Sequence, residues 1–135
     1  MIKLITGRKG SGKTKILIDQ INEAVKDTNG SVVCVEKGSN VRYSISRKVR
    51  WCDTEYYNIS GYDTFYGFIA GLLASNYDIT HIYIDGILRI AERDYEQLGN
   101  LLEKLDKLTG DDVVIVFTVS ANEDELSDNV KQFIK

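Results

Sequence analysis

The fold is decided by one glycine-rich stretch, Gly7-Arg8-Lys9-Gly10-Ser11-Gly12-Lys13-Thr14. It follows the β-rich run Ile2–Thr6 and precedes a helical pattern that begins at Thr14, with apolar residues on one face and polar residues on the other. Glycines let a backbone curl so that successive N–H groups point inward, and a helix start adds the positive end of its dipole. The sequence therefore predicts a strand–loop–helix unit that binds an anion.

The spacing of this loop matches G-x-x-x-x-G-K-[ST], the Walker A pattern of phosphate-binding loops. In that pattern the Lys13 ammonium reaches the β- and γ-phosphates of a nucleotide, and the Thr14 hydroxyl holds Mg²⁺. The alternative is a glycine-rich turn that contains a lysine by chance. The strand before the loop and the helix after it favour the nucleotide-binding interpretation. The predicted nucleotide-binding residues are Gly7, Arg8, Lys9, Gly10, Ser11, Gly12, Lys13 and Thr14.

The rest of the chain alternates apolar strands with helices. We predict strands over 31–36, 79–86 and 113–119, helices over 62–76 and from Tyr95 to Leu108, and helical spacing in the tail 126–134. Continuous apolar strands of this kind are typical of a parallel sheet that is covered on both faces. The predicted fold is a three-layer α/β/α sandwich with a mostly parallel central sheet, in one domain over residues 1–135.

Residues 41–59 depart from this alternation. Val41–Ser46 alternates with a period of two and Val49–Ile59 is β-rich, which predicts a small β-hairpin insertion. Its basic residues, with Tyr43 and Trp51 nearby, could contact nucleic acid or an acidic partner. A charged hairpin that avoids edge pairing is the alternative interpretation. The basic residues are Arg42, Arg47, Lys48 and Arg50.

Composition and charge narrow the class of protein. The 135 residues carry a net charge of −3. Residues 1–50 contain 11 Lys/Arg against 4 Asp/Glu, whereas residues 51–135 contain more Asp/Glu than Lys/Arg. The acidic second half makes nucleic-acid binding unlikely, because it would repel a long polyanion. No apolar run approaches the roughly 20 residues that span a bilayer, and no leader pattern opens the chain. Cys34 and Cys52 fit a reducing cytosol better than a disulfide framework, so we expect a cytoplasmic protein with no membrane contact.

A second element agrees with the loop. Asp85 ends the predicted strand 79–86, where nucleotide-binding α/β domains place the acidic residue that holds Mg²⁺. A turn-forming Asp-Gly is the alternative. Walker A and this Walker B-like strand together resemble the P-loop NTPase superfamily across nearly the whole chain. The order of elements is similar to the RecA-like (ASCE) branch, in which a later strand lies between these two and ends in a polar sensor residue. Thr118 and Ser120 match that position.

The layout also looks like the nucleotide-binding core of bacterial thymidine kinases and like short stand-alone bacterial P-loop proteins of unknown function. Thymidine kinases place a glutamate directly after the Walker B aspartate, whereas Gly86 follows Asp85 here, and they have a zinc-bearing lasso whose cysteines this chain lacks. The guanine-reading motif of GTPases is also missing from the region around Thr118 to Asn122. The resemblance therefore implies ATP and Mg²⁺ rather than GTP.

Hydrolysis needs a group that orients the attacking water. RecA-like proteins can place this glutamate at the end of the strand that follows the Walker A helix, which makes Glu36 the candidate catalytic residue beside Lys13. A solvated strand-end glutamate is the alternative. Arg89 and Arg93 could stabilise charge in the transition state, although both also fit a solvated helix face.

Three functions stay open from the sequence. The first is a Mg-ATP-binding protein with slow or partner-stimulated ATPase activity, acting through a protein partner or as a homo-oligomer. The second is a regulatory module that binds nucleotide without hydrolysing it. The third is a phosphotransferase on a small acceptor, which would need a second pocket.

Overall fold

The computed structural model describes residues 1–134 as alternating strands and helices. The elements are β1 Ile2–Gly7, α1 Lys13–Asp27, β2 Ser31–Glu36, β3 Arg50–Asp53, α2 Tyr62–Ser75, β4 Ile79–Asp85, α3 Ile87–Ile90, α4 Tyr95–Thr109, β5 Val114–Ser120 and α5 Asp128–Lys131. Single 3₁₀ turns occur at Arg42–Ser44 and Glu123–Glu125. The predicted alternation of strands and helices is confirmed, and α3 is an additional short helix.

The five strands form one sheet in the order β1-β5-β4-β2-β3, and every neighbouring pair is parallel. Strand β5 lies between β1 and β4, the position that the resemblance to the RecA-like branch implies. Because all strands run the same way, their carboxyl ends meet at one edge of the sheet. Gly7 pairs there with Ser120, and Glu36 pairs with Asp85.

Helices cover both faces of the sheet, which confirms the α/β class. On one face, α1 packs on alternate residues of the strands through a cluster of buried side chains: Leu17, Ile21, Ala24, Val32, Cys34, Tyr83 and Val116. On the other face, α2 and α4 pack through a larger cluster that includes Phe65, Ile69, Ile82, Ile84, Leu98, Leu102, Leu105 and Phe117. The apolar strands are buried on both sides, as continuous apolar runs predict.

The hairpin predicted over 41–59 is wrong. Strand β3 runs parallel to β2 and extends the sheet at its edge, and the residues before it form a 3₁₀ turn instead of a strand. Asn22 of α1 holds this segment, because its amide donates to the Ser44 carbonyl at 3.1 Å and its oxygen accepts from the Ser46 N–H at 2.9 Å. Val41 and Ile45 thus anchor a loop under α1, while Tyr43 between them is exposed.

Both cysteines are buried free thiols. Burial raises the pKa of the Cys34 thiol, and the neighbouring Glu36 and Asp85 carboxylates raise it further. Burial also raises the pKa of Cys52. Both thiols therefore stay protonated and contribute as small apolar side chains.

No helix within residues 1–134 combines the length and the apolar character that crossing a membrane requires.

Candidate functional site

Glycine geometry shapes the loop between β1 and α1. The φ angle is +84° at Gly10 and +90° at Gly12, a region that other residues rarely adopt. A Cβ on Gly7 would lie 2.5 Å from Ser11 Oγ, so only glycine fits there. The Ser11 N–H donates to the Arg8 carbonyl at 3.1 Å, which closes the turn. The loop therefore has one defined backbone path into the helix.

Lys13 is the first residue of α1, and its side chain turns back into the loop. Only 6% of the residue is exposed, and its Nζ donates to the Arg8 carbonyl at 2.8 Å. Burial lowers the Lys13 pKa, an effect that the Asp85 carboxylate partly opposes. The first turn of α1 contains no acidic residue, and no side chain caps it. The helix dipole and this ammonium therefore both favour an anion inside the loop.

A hydrogen-bond network joins the loop to the carboxyl ends of two other strands. The Thr14 hydroxyl lies 3.3 and 3.4 Å from the two Asp85 carboxylate oxygens. The Thr118 hydroxyl donates to Asp85 Oδ1 at 2.7 Å and accepts from the Gly86 N–H at 2.8 Å. Only 3% of Asp85 and 2% of Thr118 is exposed. Thr14 and Thr118, which are distant in the sequence, thus meet at the buried Asp85 carboxylate.

The oxygen atoms of this network are ligands that hard divalent cations such as Mg²⁺ prefer. Mg²⁺ prefers oxygen ligands and is commonly bound by one or two carboxylates together with phosphates and water. The Thr14 hydroxyl and the Asp85 carboxylate supply such ligands beside the loop. Residues 1–134 hold no group of three or more His, Cys, Asp or Glu side chains that could bind a metal ion by themselves.

Glu36 lies beside this network but has different partners. It pairs with Asp85 in the sheet register, and none of it is exposed, so the expectation of a solvated strand-end residue is wrong. Its Oε1 accepts from the Asn40 and Val41 N–H groups at 3.0 and 3.2 Å. Its Oε2 accepts from the Val41 N–H at 2.9 Å and from Trp51 Nε1 at 2.8 Å. These contacts fold the loop after β2 around the carboxylate, while its catalytic role stays a prediction.

Sequence reasoning missed the bond between Trp51 and Glu36. The two residues are neighbours in space only because β3 extends the sheet beside β2, and the hairpin prediction separated them. A tryptophan indole has a single N–H donor, which needs an acceptor when it is buried. The need of Trp51 for an acceptor was therefore the one signal in the sequence that could have pointed to a carboxylate such as Glu36.

Ser120 and the two arginines occupy the same edge of the sheet. Arg93 Nη1 donates to the Ser120 carbonyl at 3.1 Å and to the Tyr95 hydroxyl at 3.0 Å. A Cβ on Gly86 would lie 2.9 Å from the Arg89 guanidinium, so that group lies against the residue that follows Asp85. Arg89 is itself exposed. The sensor role of Thr118 and Ser120 stays a prediction, since only Thr118 joins the Asp85 network.

The basic segment 42–50 makes no hydrogen bond to Thr14, Asp85 or Thr118 in the described part of the chain. The Arg42 guanidinium stacks on the Trp51 ring at 4.5 Å and lies 5.4 Å from the ring centre of Tyr43, which is 85% exposed. The Arg42 guanidinium is therefore already engaged in cation–π contacts with aromatic rings of the protein itself. The arrangement offers one exposed aromatic ring rather than a continuous platform for bases.

We expect this segment not to bind nucleic acid. A gel shift with single-stranded DNA at low salt should show no retardation, because the net charge of −3 opposes a polyanion and low salt would strengthen any phosphate contact. Retardation that disappears as salt rises, and that is lost in Arg47→Ala/Lys48→Ala, would contradict this expectation.

The comparisons with protein families and curated proteins identify no relative, so the functional assignment rests on the geometry of the site. No protein-family model matches the chain, and no curated protein matches it either.

Proposed function

We propose that this chain is a Mg-ATP-binding P-loop protein of the RecA-like type, with slow or partner-stimulated ATPase activity. One observation carries the proposal: the Thr14 and Thr118 hydroxyls converge on the buried Asp85 carboxylate at the edge where the glycine-rich loop ends. A glycine-rich turn that contained a lysine by chance would not require two hydroxyls to contact the same buried carboxylate. The strand order, with β5 between β1 and β4, supports the same assignment.

Each group at the site has a role in nucleotide binding. The loop N–H groups and the Lys13 ammonium bind the phosphate oxygens, and phosphates replace the contact between Lys13 and the Arg8 carbonyl. Thr14 and Asp85 would hold Mg²⁺, and when bound this ion would neutralise charge on the β- and γ-phosphates. Thr118 orients the Asp85 carboxylate through its 2.7 Å hydrogen bond.

Hydrolysis is slow in this proposal because Glu36, the candidate residue that would orient water, is already engaged. Its carboxylate accepts from three donors, and the Val41 N–H is shared between both of its oxygens. Arg89, which lies against Gly86, is placed to stabilise negative charge on the transferring phosphoryl group. A protein partner or a second copy of the chain that supplies a water-orienting group would raise the rate.

The same contacts of Glu36 favour a second candidate, a regulatory module that binds Mg-ATP without turnover. Both candidates share the binding site and differ in whether phosphate is released.

Free buried thiols at Cys34 and Cys52 suit a reducing compartment, and we propose that the protein lies in the cytoplasm.

Asp85→Asn tests the metal part of the proposal. In calorimetric titrations, wild type should bind ATP more tightly with Mg²⁺ than with a chelator present. Asp85→Asn should lose most of this difference, about tenfold in affinity or about 1.4 kcal/mol, because an amide is a poor Mg²⁺ ligand. Its oxygen can still accept from Thr118, so the fold should remain.

Asp19→Asn is the matched control, since this exposed carboxylate on α1 lies only near Lys15. It should behave as wild type. Wild-type affinity that does not respond to Mg²⁺, or an Asp85→Asn protein that responds fully, would contradict the proposed metal site.

A further inference from the structure

The outer edge of β3 carries backbone groups that no strand pairs with. Strand β3 ends the sheet order, and β2 is the strand that pairs with it in residues 1–134. The Thr54 N–H donates to the Glu36 carbonyl at 2.9 Å, so Thr54 and, two residues earlier, Cys52 direct their backbone groups toward β2. The backbone groups of Trp51 and Asp53 alternate with these and point away from the sheet. An edge of this kind is a template for an additional strand.

A groove of about 570 Å³ lies between this edge and α2. Its floor is formed by buried apolar residues of the sheet, and α2 contributes the half-buried side chains of Phe68 and Leu72 to its wall. The floor residues are Val33, Cys52 and Ile79. Side chains of a strand alternate between the two faces of a sheet, so every second side chain of a strand added beside β3 would point toward this groove.

The rim of the groove is positively charged. Lys48 and Arg50 line it and are exposed, whereas no Asp or Glu in the described part of the chain lines it. Neither cation forms an ion pair with a carboxylate of residues 1–134. The Arg50 guanidinium opposes the rise that burial causes in the pKa of Cys52, so this cation lies beside the apolar floor. The amino end of β3 therefore offers two cations to a ligand.

The chain on both sides of these cations carries charge of the same sign. Residues 37–52 contain five Lys/Arg and no Asp/Glu, namely Lys37, Arg42, Arg47, Lys48 and Arg50. The acidic residue of β3, Asp53, lies at its carboxyl end, where its Oδ1 accepts from the Gly38 and Glu55 N–H groups at 2.8 and 2.9 Å. An anion is thus attracted to the amino half of the strand.

The edge, the groove and the charge together select the occupant. A second copy of this edge would bring two sets of Lys48 and Arg50 together, and like charges on neighbouring strands are destabilising. A nucleic acid would match the charge but has no peptide groups to pair with a strand edge. An extended peptide with acidic and apolar side chains meets all three requirements.

We propose that an extended acidic peptide of a partner protein adds to β3 as a sixth strand of the sheet. Its backbone pairs with the outward N–H and C=O groups of Trp51 and Asp53. Its carboxylates face Lys48 and Arg50, and an apolar side chain enters the groove beside Phe68. In this mode of recognition, main-chain hydrogen bonds supply affinity and alternate side chains supply specificity. The interaction needs no nucleotide.

A blocked eight-residue peptide in which Glu and Val alternate is the probe, used without nucleotide. In fluorescence-polarisation titrations, the wild-type chain should bind it at least about tenfold more tightly than a peptide with Lys in place of each Glu, and added salt should weaken the binding. At saturation, hydrogen exchange of the Trp51 and Asp53 amides should slow at least about tenfold, because both N–H groups gain acceptors. The Val35 amide, already inside the sheet, should not change.

Two controls separate charge from strand pairing. Lys48→Glu/Arg50→Glu should weaken binding of the acidic peptide at least about tenfold, whereas Lys15→Glu/Lys26→Glu, which makes the same change at exposed positions of α1, should bind as wild type. A peptide methylated at every backbone nitrogen keeps its charge but has no N–H donors, and it should lose the binding.

Several results would overturn the proposal: no binding of the acidic peptide to wild type, equal binding by Lys48→Glu/Arg50→Glu, or unchanged exchange of the Trp51 and Asp53 amides. Equal binding of the methylated peptide would show attraction by charge without an added strand. Protection of these amides that grows with protein concentration in the absence of peptide would place a second copy on this edge instead. Because no nucleotide is present, none of these outcomes depends on the proposed ATP site.

Discussion

Lys13→Ala is expected to weaken Mg-ATP binding by about 2–4 kcal/mol, or about 30- to 900-fold in Kd. The Lys13 ammonium lies inside the loop with 6% of the residue exposed, where solvent screens its attraction for phosphate poorly. Alanine keeps the start of α1 intact, since its helix propensity is high. Calorimetric titration of both proteins with Mg-ATP measures the difference directly.

Lys9→Ala is the control within the same loop. Lys9 is exposed and occupies a variable position of the motif, so its removal should cost much less than the removal of Lys13. Equal affinities for wild type and Lys13→Ala would end the nucleotide-binding proposal. Equal losses in the two variants would show that the loop attracts anions by net charge alone.

Binding should also depend on pH in a defined direction. Phosphate favours the protonated ammonium, so affinity falls as pH rises through the Lys13 pKa. Burial lowers that pKa from its usual value near 10.5, so the fall begins at a lower pH than for an exposed lysine. This dependence should be absent from Lys13→Ala.

The sequence predicted the strand–loop–helix unit because its signals are local. The periodicity of α1, the glycines before it and the apolar run of β1 all act within about 25 residues. The prediction that β5 lies between β1 and β4 came from the family resemblance. The sheet order confirms that place.

The hairpin prediction failed because the pairing of β3 is not local. A period of two over Val41–Ser46 is typical of a strand, but here a loop buries Val41 in the cluster with α1 and leaves Tyr43 exposed. The contacts of Asn22 with Ser44 and Ser46 decide the path of this segment. The bond between Trp51 and Glu36 cannot be found until β3 is placed beside β2.

The second large effect concerns Glu36 and the stability of the fold. Glu36→Ala removes the acceptor of the Asn40, Val41 and Trp51 donors and leaves them facing a cavity. We expect the free energy of unfolding to fall by about 3–5 kcal/mol, since each buried donor without a partner costs about 1–3 kcal/mol and relaxation recovers part of the loss. Glu36→Gln should cost less, because one oxygen remains while its amide nitrogen meets a donor. Urea denaturation followed by Trp51 fluorescence measures both changes.

The rate of ATP hydrolysis distinguishes this structural role of Glu36 from a catalytic role. If Glu36 only holds the loop after β2, a folded Glu36→Gln protein should hydrolyse Mg-ATP within about twofold of the wild-type rate, whereas loss of a general base would cost about 10²–10⁴-fold. Glu23→Gln, an exposed carboxylate on α1 near Lys26, controls for the change of charge and should alter neither stability nor rate. Because the Glu36 carboxylate already accepts from the Asn40, Val41 and Trp51 donors, we expect stability to change and the rate of hydrolysis to persist. A stable Glu36→Gln protein that has lost hydrolysis but still binds Mg-ATP would instead identify Glu36 as the base, and would require the loop at Asn40 and Val41 to release it when nucleotide binds.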